Sequence, residues 1–319
     1  MTLPQLRLPR TDLTVSALCL GGNRLGGELD QVQSFELLDT FVEAGGTFID
    51  TAHLYADWLP HVERSCSEKT IGRWLRARGP AGIVVATKGG QPEGDPPVKR
   101  LDRASLRRDV TASLSHLGLS ALDLFYVHRD DPARPAAEIL ATLEELRRDG
   151  LVRHYAASNW SLARLREADT AARAGGYAGF AAHQAEWSLA VRNPGTAAAD
   201  LVTMDARHVQ WHARTGMTAI PYSSQAKGYF DKTAQGRTDE YSARYDNAPS
   251  RAMAARLGAL AAEMNASPTQ VMLKALTLAP FATIPVIGCR TPEQVRSSAA
   301  SLAVPLSAAR AASLLNLNL

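Results

Sequence analysis

The chain has 319 residues, of which 45% are hydrophobic, with 35 lysines and arginines against 32 aspartates and glutamates. This composition predicts a folded protein, and a net charge of +3 argues against a surface dedicated to nucleic acid or anionic membrane. The three cysteines form no C-x-x-C pair, which argues against structural zinc. The N-terminus lacks a signal-peptide pattern and no apolar run is long enough to span a membrane, so we expect a soluble cytoplasmic protein.

Short apolar runs alternate with segments of helical periodicity along the chain. The predicted strands are 16–20, 47–50, 83–87, 122–127, 152–157, 179–183, 217–222 and 282–287. The predicted helices are 31–44, 68–78, 102–117, 135–149, 161–174, 197–215, 250–265, 268–278 and 292–300. Glycines such as Gly118 and Gly150 follow several of these helices, as expected of residues that end a helix.

The alternation gives eight strands, each followed by helix. The strands are continuous apolar runs, which is typical of parallel strands covered on both faces. Eight such units in a chain of this length predict an α/β fold, a (β/α)₈ TIM barrel forming one domain over 1–319, with its sites at the carboxyl ends of the strands. The alternative is an open doubly wound sheet, but the glycine spacing of 21–27 does not match the G-x-G-x-x-G turn of that fold.

Polar residues stand where the predicted strands end. Asp50 closes the second strand, Lys88 follows the third and His128 follows the fourth, while Tyr55 lies five residues beyond Asp50. A lone histidine or tyrosine at such a position has an ordinary structural explanation. Lys88 is different, because an unpaired ammonium is costly beside a buried strand, and Asp50 is its natural partner.

These four residues together suit one reaction. Tyrosine is a poor acid or base at neutral pH, and a nearby ammonium lowers its pKa by stabilising the phenolate. Tyr55 beside Lys88 would therefore protonate a carbonyl oxygen while a hydride reaches the carbon. A cofactor must supply that hydride, because no side chain can.

Seven segments then carry a family resemblance. They are FIDTAHLY (48–55), SEKTIG (67–72), VVATK (84–88), LDLFYVH (122–128), ASNW (157–160), QAEW (184–187) and IPVIGCRTPEQV (284–295). In this order, over nearly the whole chain, they resemble the aldo-keto reductases. The resemblance implies a (β/α)₈ barrel that transfers hydride between NADPH, less often NADH, and an aldehyde or ketone.

The resemblance also implies residue roles. The implied catalytic tetrad is Asp50, Tyr55, Lys88 and His128, with Tyr55 as the general acid in reduction and the base in oxidation. The implied nicotinamide contacts are Ser158, Asn159 and Gln184, which would bind the carboxamide, and Tyr222, which would stack on the ring.

The phosphate end of the cofactor is predicted at the last clear helix. Arg290 and Thr291 precede Pro292, and an arginine at a helix N-terminus suits a 2′-phosphate, which favours NADPH over NADH. We include Gln294, in the first helical turn, in this cofactor site. The alternative is that Thr291 only caps the helix and Arg290 is solvated, and both interpretations can hold together.

Two departures from the family pattern concern cofactor and substrate. Ser297 and Ser298 stand where the family usually has Glu-Asn, so we expect fewer adenine contacts.

The segment 56–66 after the catalytic tyrosine is longer than usual, and its aromatic and charged residues would suit a polar carbonyl such as a sugar. The alternative is a solvated surface loop. We predict substrate contacts from Trp58 and Trp160.

Two other functions compete with the carbonyl reductase. One is a metal-dependent barrel hydrolase or isomerase, with ligands from Asp50, His53, His128, His183 and Glu186. The other is a non-catalytic, NADPH-sensing auxiliary subunit of a channel. The first predicts inactivation by a strong chelator, and the second predicts no multiple-turnover reduction. For the carbonyl reductase we expect a small-molecule carbonyl substrate as the partner, and neither nucleic acid nor a membrane.

Overall fold

A computed structural model describes residues 2–316, and its central element is a sheet of eight parallel strands. The strands in chain order are β1 (Gln5–Arg7), β2 (Thr14–Ser16), β3 (Cys19–Gly21), β4 (Phe48–Asp50), β5 (Val84–Gly89), β6 (Leu122–Val127), β7 (Val152–Ser158), β8 (Ala182–Gln184), β9 (Thr218–Ala219) and β10 (Val286–Ile287). The eight strands β3 to β10 pair in the order β10-β3-β4-β5-β6-β7-β8-β9.

Backbone hydrogen bonds join the two ends of this sheet. The Ala219 amide donates to the Ala282 carbonyl over 2.9 Å, and the Ile284 amide donates to the Ala219 carbonyl over 2.9 Å. The Val286 amide donates to the Pro221 carbonyl over the same distance. No edge is left between β9 and β10, so the sheet closes into the predicted (β/α)₈ barrel.

Helices surround the barrel. They are α1 (Gln31–Glu43), α2 (Cys66–Arg78), α3 (Arg103–Leu117), α4 (Ala136–Arg148), α5 (Leu162–Gly175), α6 (Ala206–Thr215), α7 (Tyr229–Ala234), α8 (Ala248–Glu263), α9 (Pro268–Thr277), α10 (Pro292–Ala300) and α11 (Ala308–Leu314). Their starts follow local chemistry, since Asp30, Asp102 and Ser161 each accept a hydrogen bond from a first-turn amide. Within residues 2–316, no helix combines the length and apolarity that a membrane span requires.

The antiparallel hairpin β1–β2 covers the amino-terminal end of the barrel. Leu8 and Leu13, in its connection, and Val15, in β2, are buried with residues of the barrel strands such as Phe48 and Leu124. The prediction placed one strand over 16–20. The structure instead ends β2 at Ser16 and starts β3 at Cys19, so that one segment serves both the hairpin and the barrel.

The predicted helix 197–215 begins nine residues later than expected. The Asp205 side chain accepts a hydrogen bond from the His208 amide, and the His208 ring reaches back to the Asp205 amide. This capping box fixes the start of α6 at Ala206. The preceding residues form an irregular connection at the carboxyl end of the barrel, where the Val202 amide bonds the Asn159 side chain over 3.3 Å.

Two helical glycines predict opposite effects of the same substitution. Alanine normally stabilises a helix interior relative to glycine, by about 0.5–1 kcal/mol. A Cβ at Gly72 in α2, however, would lie 2.1 Å from the carbonyl oxygen of His116, whereas one at Gly258 in α8 would meet nothing within 4 Å. We expect Gly72→Ala to lower the free energy of unfolding by about 2 kcal/mol and Gly258→Ala to raise it slightly. Urea unfolding of both variants checks this, and equal stability of the two would contradict the packing of α2 on α3.

Candidate active site

A cavity of about 710 Å³ opens at the carboxyl ends of the barrel strands. It extends from Asp50 and Tyr55 to Arg290 and Gln294 at the start of α10. Strand register sets the position of the charged groups at its inner end, because Asp50 pairs with Ala86 across β4 and β5, two residues before Lys88. The side chains of Asp50 and Lys88 thus start from neighbouring strand ends.

The Lys88 side chain is 1% exposed and uses all three of its donors. Its ammonium lies 2.6 Å from Asp50 Oδ2, 2.8 Å from the Thr51 carbonyl oxygen and 2.8 Å from the Tyr55 hydroxyl. The predicted Asp50–Lys88 partnership is therefore present, with the Tyr55 hydroxyl on the same ammonium. Burial lowers the pKa of Lys88, and the Asp50 carboxylate opposes that effect.

The structure corrects the expected pKa of Tyr55. Burial, and after it the charge of Asp50, raise the pKa of Tyr55 well above the ordinary value of about 10. The Lys88 ammonium does not reverse this, because the Asp50 carboxylate at 2.6 Å offsets its charge. Tyr55 thus holds its proton at neutral pH, as a general acid must.

His128 is a neutral imidazole beside Tyr55. Burial, with the charges of Arg129 and Lys88, depresses the pKa of His128 well below its ordinary value of about 6.5. The His128 and Tyr55 rings meet edge to face with centroids 5.8 Å apart. The four residues predicted as a tetrad are thus adjacent to one another, and two of them, Asp50 and Tyr55, line the inner end of the cavity.

The residues predicted to bind nicotinamide form one hydrogen-bonded group. Asn159 Nδ2 donates to the His128 carbonyl over 3.3 Å and to Ser158 Oγ over 3.1 Å, and the Tyr222 hydroxyl donates to Asn159 Oδ1 over 2.9 Å. Gln184 Nε2 donates to Asp50 Oδ1 over 2.9 Å. Tyr222 lines the cavity, whereas Ser158, Asn159 and Gln184 are buried and are not among its lining residues.

The opposite end of the cavity is the N-terminus of α10. The Thr291 side chain caps this helix, and Gln294 Oε1 accepts a hydrogen bond from the Arg290 amide over 2.7 Å. Arg290 Nη2 lies 3.3 Å from Glu28 Oε2, so its guanidinium is ion-paired as well as half exposed. Ser297 and Ser298 also line the cavity.

The two candidate substrate residues have different environments. Trp58 lines the cavity and is 58% exposed. Trp160 is fully buried, with its ring 4.9 Å from the Phe180 ring and 4.9 Å from the Arg164 guanidinium carbon. Trp160 belongs to the buried core and is not among the residues that line this cavity, so its contact with substrate stays a prediction.

Sequence reasoning missed two arginines of the site. Arg24, in the glycine-rich connection after β3, lines the cavity and pairs with Glu28, the carboxylate that Arg290 also contacts. Burial, opposed by Glu28, lowers the pKa of Arg24. Arg129 donates to the His128 carbonyl over 3.0 Å. The position of Arg129 directly after His128 was a usable signal, whereas Arg24 is 266 residues before Arg290 in the sequence.

The five residues of the metal-enzyme alternative do not converge within residues 2–316. Asp50 is bonded to Lys88 and Gln184, and Glu186 forms a bidentate ion pair with Arg192 at 2.7 Å. His183 stacks on His212 with ring centroids 5.5 Å apart. No shared coordination point is left at the strand ends described here.

Comparisons with known proteins all point to one family. The model of the Aldo/keto reductase family matches residues 17–318. A norsolorinic acid reductase of Emericella nidulans is 29% identical over 319 aligned positions, which cover 94% of this chain and 77% of the relative. An aryl-alcohol dehydrogenase (NADP(+)) of Phanerodontia chrysosporium is 33% identical over 204 positions, which cover 58% of this chain and 51% of the relative.

Solved structures show the same fold. The holo form of an aldo-keto reductase from Bacillus halodurans matches with a TM-score of 0.75 and 20% identity, over 99% of this chain and 96% of that one. A thermostable aldo-keto reductase solved with the inhibitor epalrestat matches with a TM-score of 0.72 and 22% identity, over 99% and 100%. The family match over nearly the whole sequence agrees with the closed barrel, and the chain belongs to the aldo-keto reductase family of oxidoreductases.

Proposed function

We propose that this protein is an NADP(H)-dependent reductase of aldehydes or ketones in which Tyr55 is the general acid. The observation that carries the proposal is the placement of the Lys88 ammonium, 2.6 Å from Asp50 and 2.8 Å from the Tyr55 hydroxyl, at the inner end of a cavity that reaches α10. Family membership supports nicotinamide chemistry in that cavity. Multiple-turnover reduction tests the proposal against a non-catalytic, cofactor-sensing role.

The space and the polar groups of the cavity suit a dinucleotide. Gly288 lines it, and a Cβ at this position would meet nothing within 4 Å, so the backbone borders open space. Ser158, Asn159 and Gln184 would bind the carboxamide and Tyr222 would stack on the ring. When bound, the cofactor supplies a hydride to the carbonyl carbon.

The protein side of the reaction is proton transfer. Tyr55 donates its proton to the carbonyl oxygen as that oxygen gains negative charge, and the product is an alcohol. The Lys88 ammonium then stabilises the Tyr55 phenolate until solvent returns a proton. The neutral His128 imidazole is placed to hydrogen-bond the same oxygen. Asp50 holds Lys88 in position, and alcohol oxidation follows the reverse path.

The phosphate end of the site favours NADPH. Arg290 and Arg24 share Glu28 as a counterion, and a bound 2′-phosphate would offer both guanidiniums a dianionic partner beside the N-terminus of α10. Thr291 and Gln294 lie in the same capping turn. A relative named for NADP(+) also supports this cofactor.

The loop after Tyr55 favours an aromatic substrate over a sugar. Its charged side chains are engaged elsewhere, since Glu63 pairs with Lys69 at 2.9 Å and Arg64 pairs with Glu93 at 2.7 Å. Trp58 is the residue of 56–66 that lines the cavity. A relative named aryl-alcohol dehydrogenase agrees with this choice. Turnover of an aryl aldehyde should therefore exceed that of an aldose.

The first test removes the proposed acid. We expect Tyr55→Phe to lower kcat for aldehyde reduction by about 10²–10⁴-fold, because the proton donor is lost, while NADPH affinity measured by tryptophan fluorescence stays near wild type. Tyr126→Phe is the matched control, since that buried hydroxyl has no hydrogen-bond partner in the described structure. Full activity of Tyr55→Phe would show that Tyr55 is not the general acid.

The second test is pH dependence. The raised pKa of Tyr55 means that the proton is present across the neutral range and is lost only at alkaline pH. Reduction, which needs the protonated form, should be flat near neutrality. Oxidation, which needs the phenolate, should rise by about tenfold per pH unit below that pKa. A kcat/KM profile in each direction checks this, and an oxidation rate independent of pH would contradict it.

The third test concerns the cofactor. Arg290→Gln should weaken NADPH binding by about tenfold, because a charge-assisted contact to phosphate is lost, and should leave NADH binding unchanged. Arg296→Gln makes the same charge change on α10 at a residue paired with Glu293, outside the cavity, and should alter neither. Equal loss for both cofactors would mean that Arg290 does not discriminate between them.

A further inference from the structure

Three ionisable side chains meet outside the barrel, next to α2 and α3 and apart from the cavity. They are His53, on the connection after β4, Glu68 in the first turn of α2, and His116 near the end of α3. Glu68 Oε2 lies 2.9 Å from His116 Nδ1 and 3.6 Å from His53 Nδ1. One donor atom from each residue lies within 4.8 Å of the other two.

Two buried polar atoms in and beside this cluster lack hydrogen-bond partners. His53 Nδ1 is buried without a hydrogen-bond partner in the described structure, because 3.6 Å to Glu68 is too long for a hydrogen bond. Ser113 Oγ, on the same helix as His116, is also buried without a partner. A buried polar atom without a hydrogen-bond partner destabilises the folded state. A ligand that accepts the His53 lone pair would relieve part of this cost.

The donor set matches one kind of ligand. Two imidazole nitrogens and one carboxylate oxygen bind zinc at about 2.0–2.2 Å, which separates neighbouring ligand atoms by about 3.3 Å in a tetrahedron. The observed separations of 2.9 and 3.6 Å lie on either side of that value.

We propose that His53, Glu68 and His116 bind one zinc ion. Glu68 is fixed for this role, since its other oxygen, Oε1, accepts a hydrogen bond from the Thr87 hydroxyl over 2.5 Å. The His116 side chain is 21% exposed and gives the ion a path from solvent. A water molecule completes the tetrahedron, as in zinc sites with three protein ligands.

The three residues lie apart from the proposed catalytic residues, but the backbone of His53 is hydrogen-bonded to that of Lys88. None of the three lines the cavity. The His53 amide, however, donates to the Lys88 carbonyl over 2.9 Å, and Thr87 precedes Lys88 in β5. The ion would therefore link the connection after β4 to the strand end that carries Lys88, without contacting substrate or cofactor.

The test measures zinc binding directly. The full chain, freed of metal with a chelator, is titrated with zinc chloride against a chromophoric zinc indicator, and we expect one site per chain. His116→Ala and His53→Ala should each weaken binding by about 100-fold. His154→Ala is the matched control, because it removes a histidine–carboxylate pair with Asp12 at another place, and its zinc affinity should equal that of the wild type.

Two further measurements keep the result interpretable. Zinc should raise the Tm of the wild type and of His154→Ala but not of His116→Ala, whose cooperative melting would show that it is folded. Cobalt should give visible bands of a nitrogen–oxygen site without the near-ultraviolet band of a thiolate ligand. Wild-type affinity in His116→Ala, no stoichiometric binding by the wild type, or a thiolate band from nearby Cys66 would each overturn the assignment.

Discussion

The active site depends on one buried ion pair. Lys88 and Asp50 are both nearly inaccessible to solvent, and neither charge could be held there without the other. The pair also fixes two neighbours, because the Lys88 ammonium contacts the Tyr55 hydroxyl and the other Asp50 oxygen accepts from Gln184. Acid, electrostatic support and the proposed carboxamide contact are therefore positioned by the same charges, which belong to two adjacent strands.

Much of this arrangement could be predicted from the sequence. Repeated β/α units leave few ways to cover a parallel sheet, so the barrel follows from the number and spacing of apolar runs. The partnership of Asp50 with Lys88 follows from the cost of burying a charge. The capping role of Thr291 follows equally from local chemistry, because a threonine before proline at a helix start has a defined preference.

The features that sequence reasoning did not reveal depend on quantities that a sequence pattern does not contain. The pKa of Tyr55 reflects a balance between burial and two opposite charges, and that balance requires distances. The complete burial of Trp160 depends on packing between residues that are distant in sequence, such as Phe180. The role of Arg24 depends on barrel closure, which brings the first β/α connection beside the last helix of the barrel.

The hairpin at the amino-terminal end of the barrel has a consequence for biosynthesis. Leu8 and Val15 precede all eight barrel strands along the chain, yet they are buried with Ile284 and Val286, which belong to the last barrel strand and the segment before it. Contacts over such sequence separations form late, because the intervening chain must first be ordered. Part of the apolar surface of the hairpin therefore stays uncovered until β10 has been synthesised, and transient protection of that surface by chaperones would limit aggregation during synthesis.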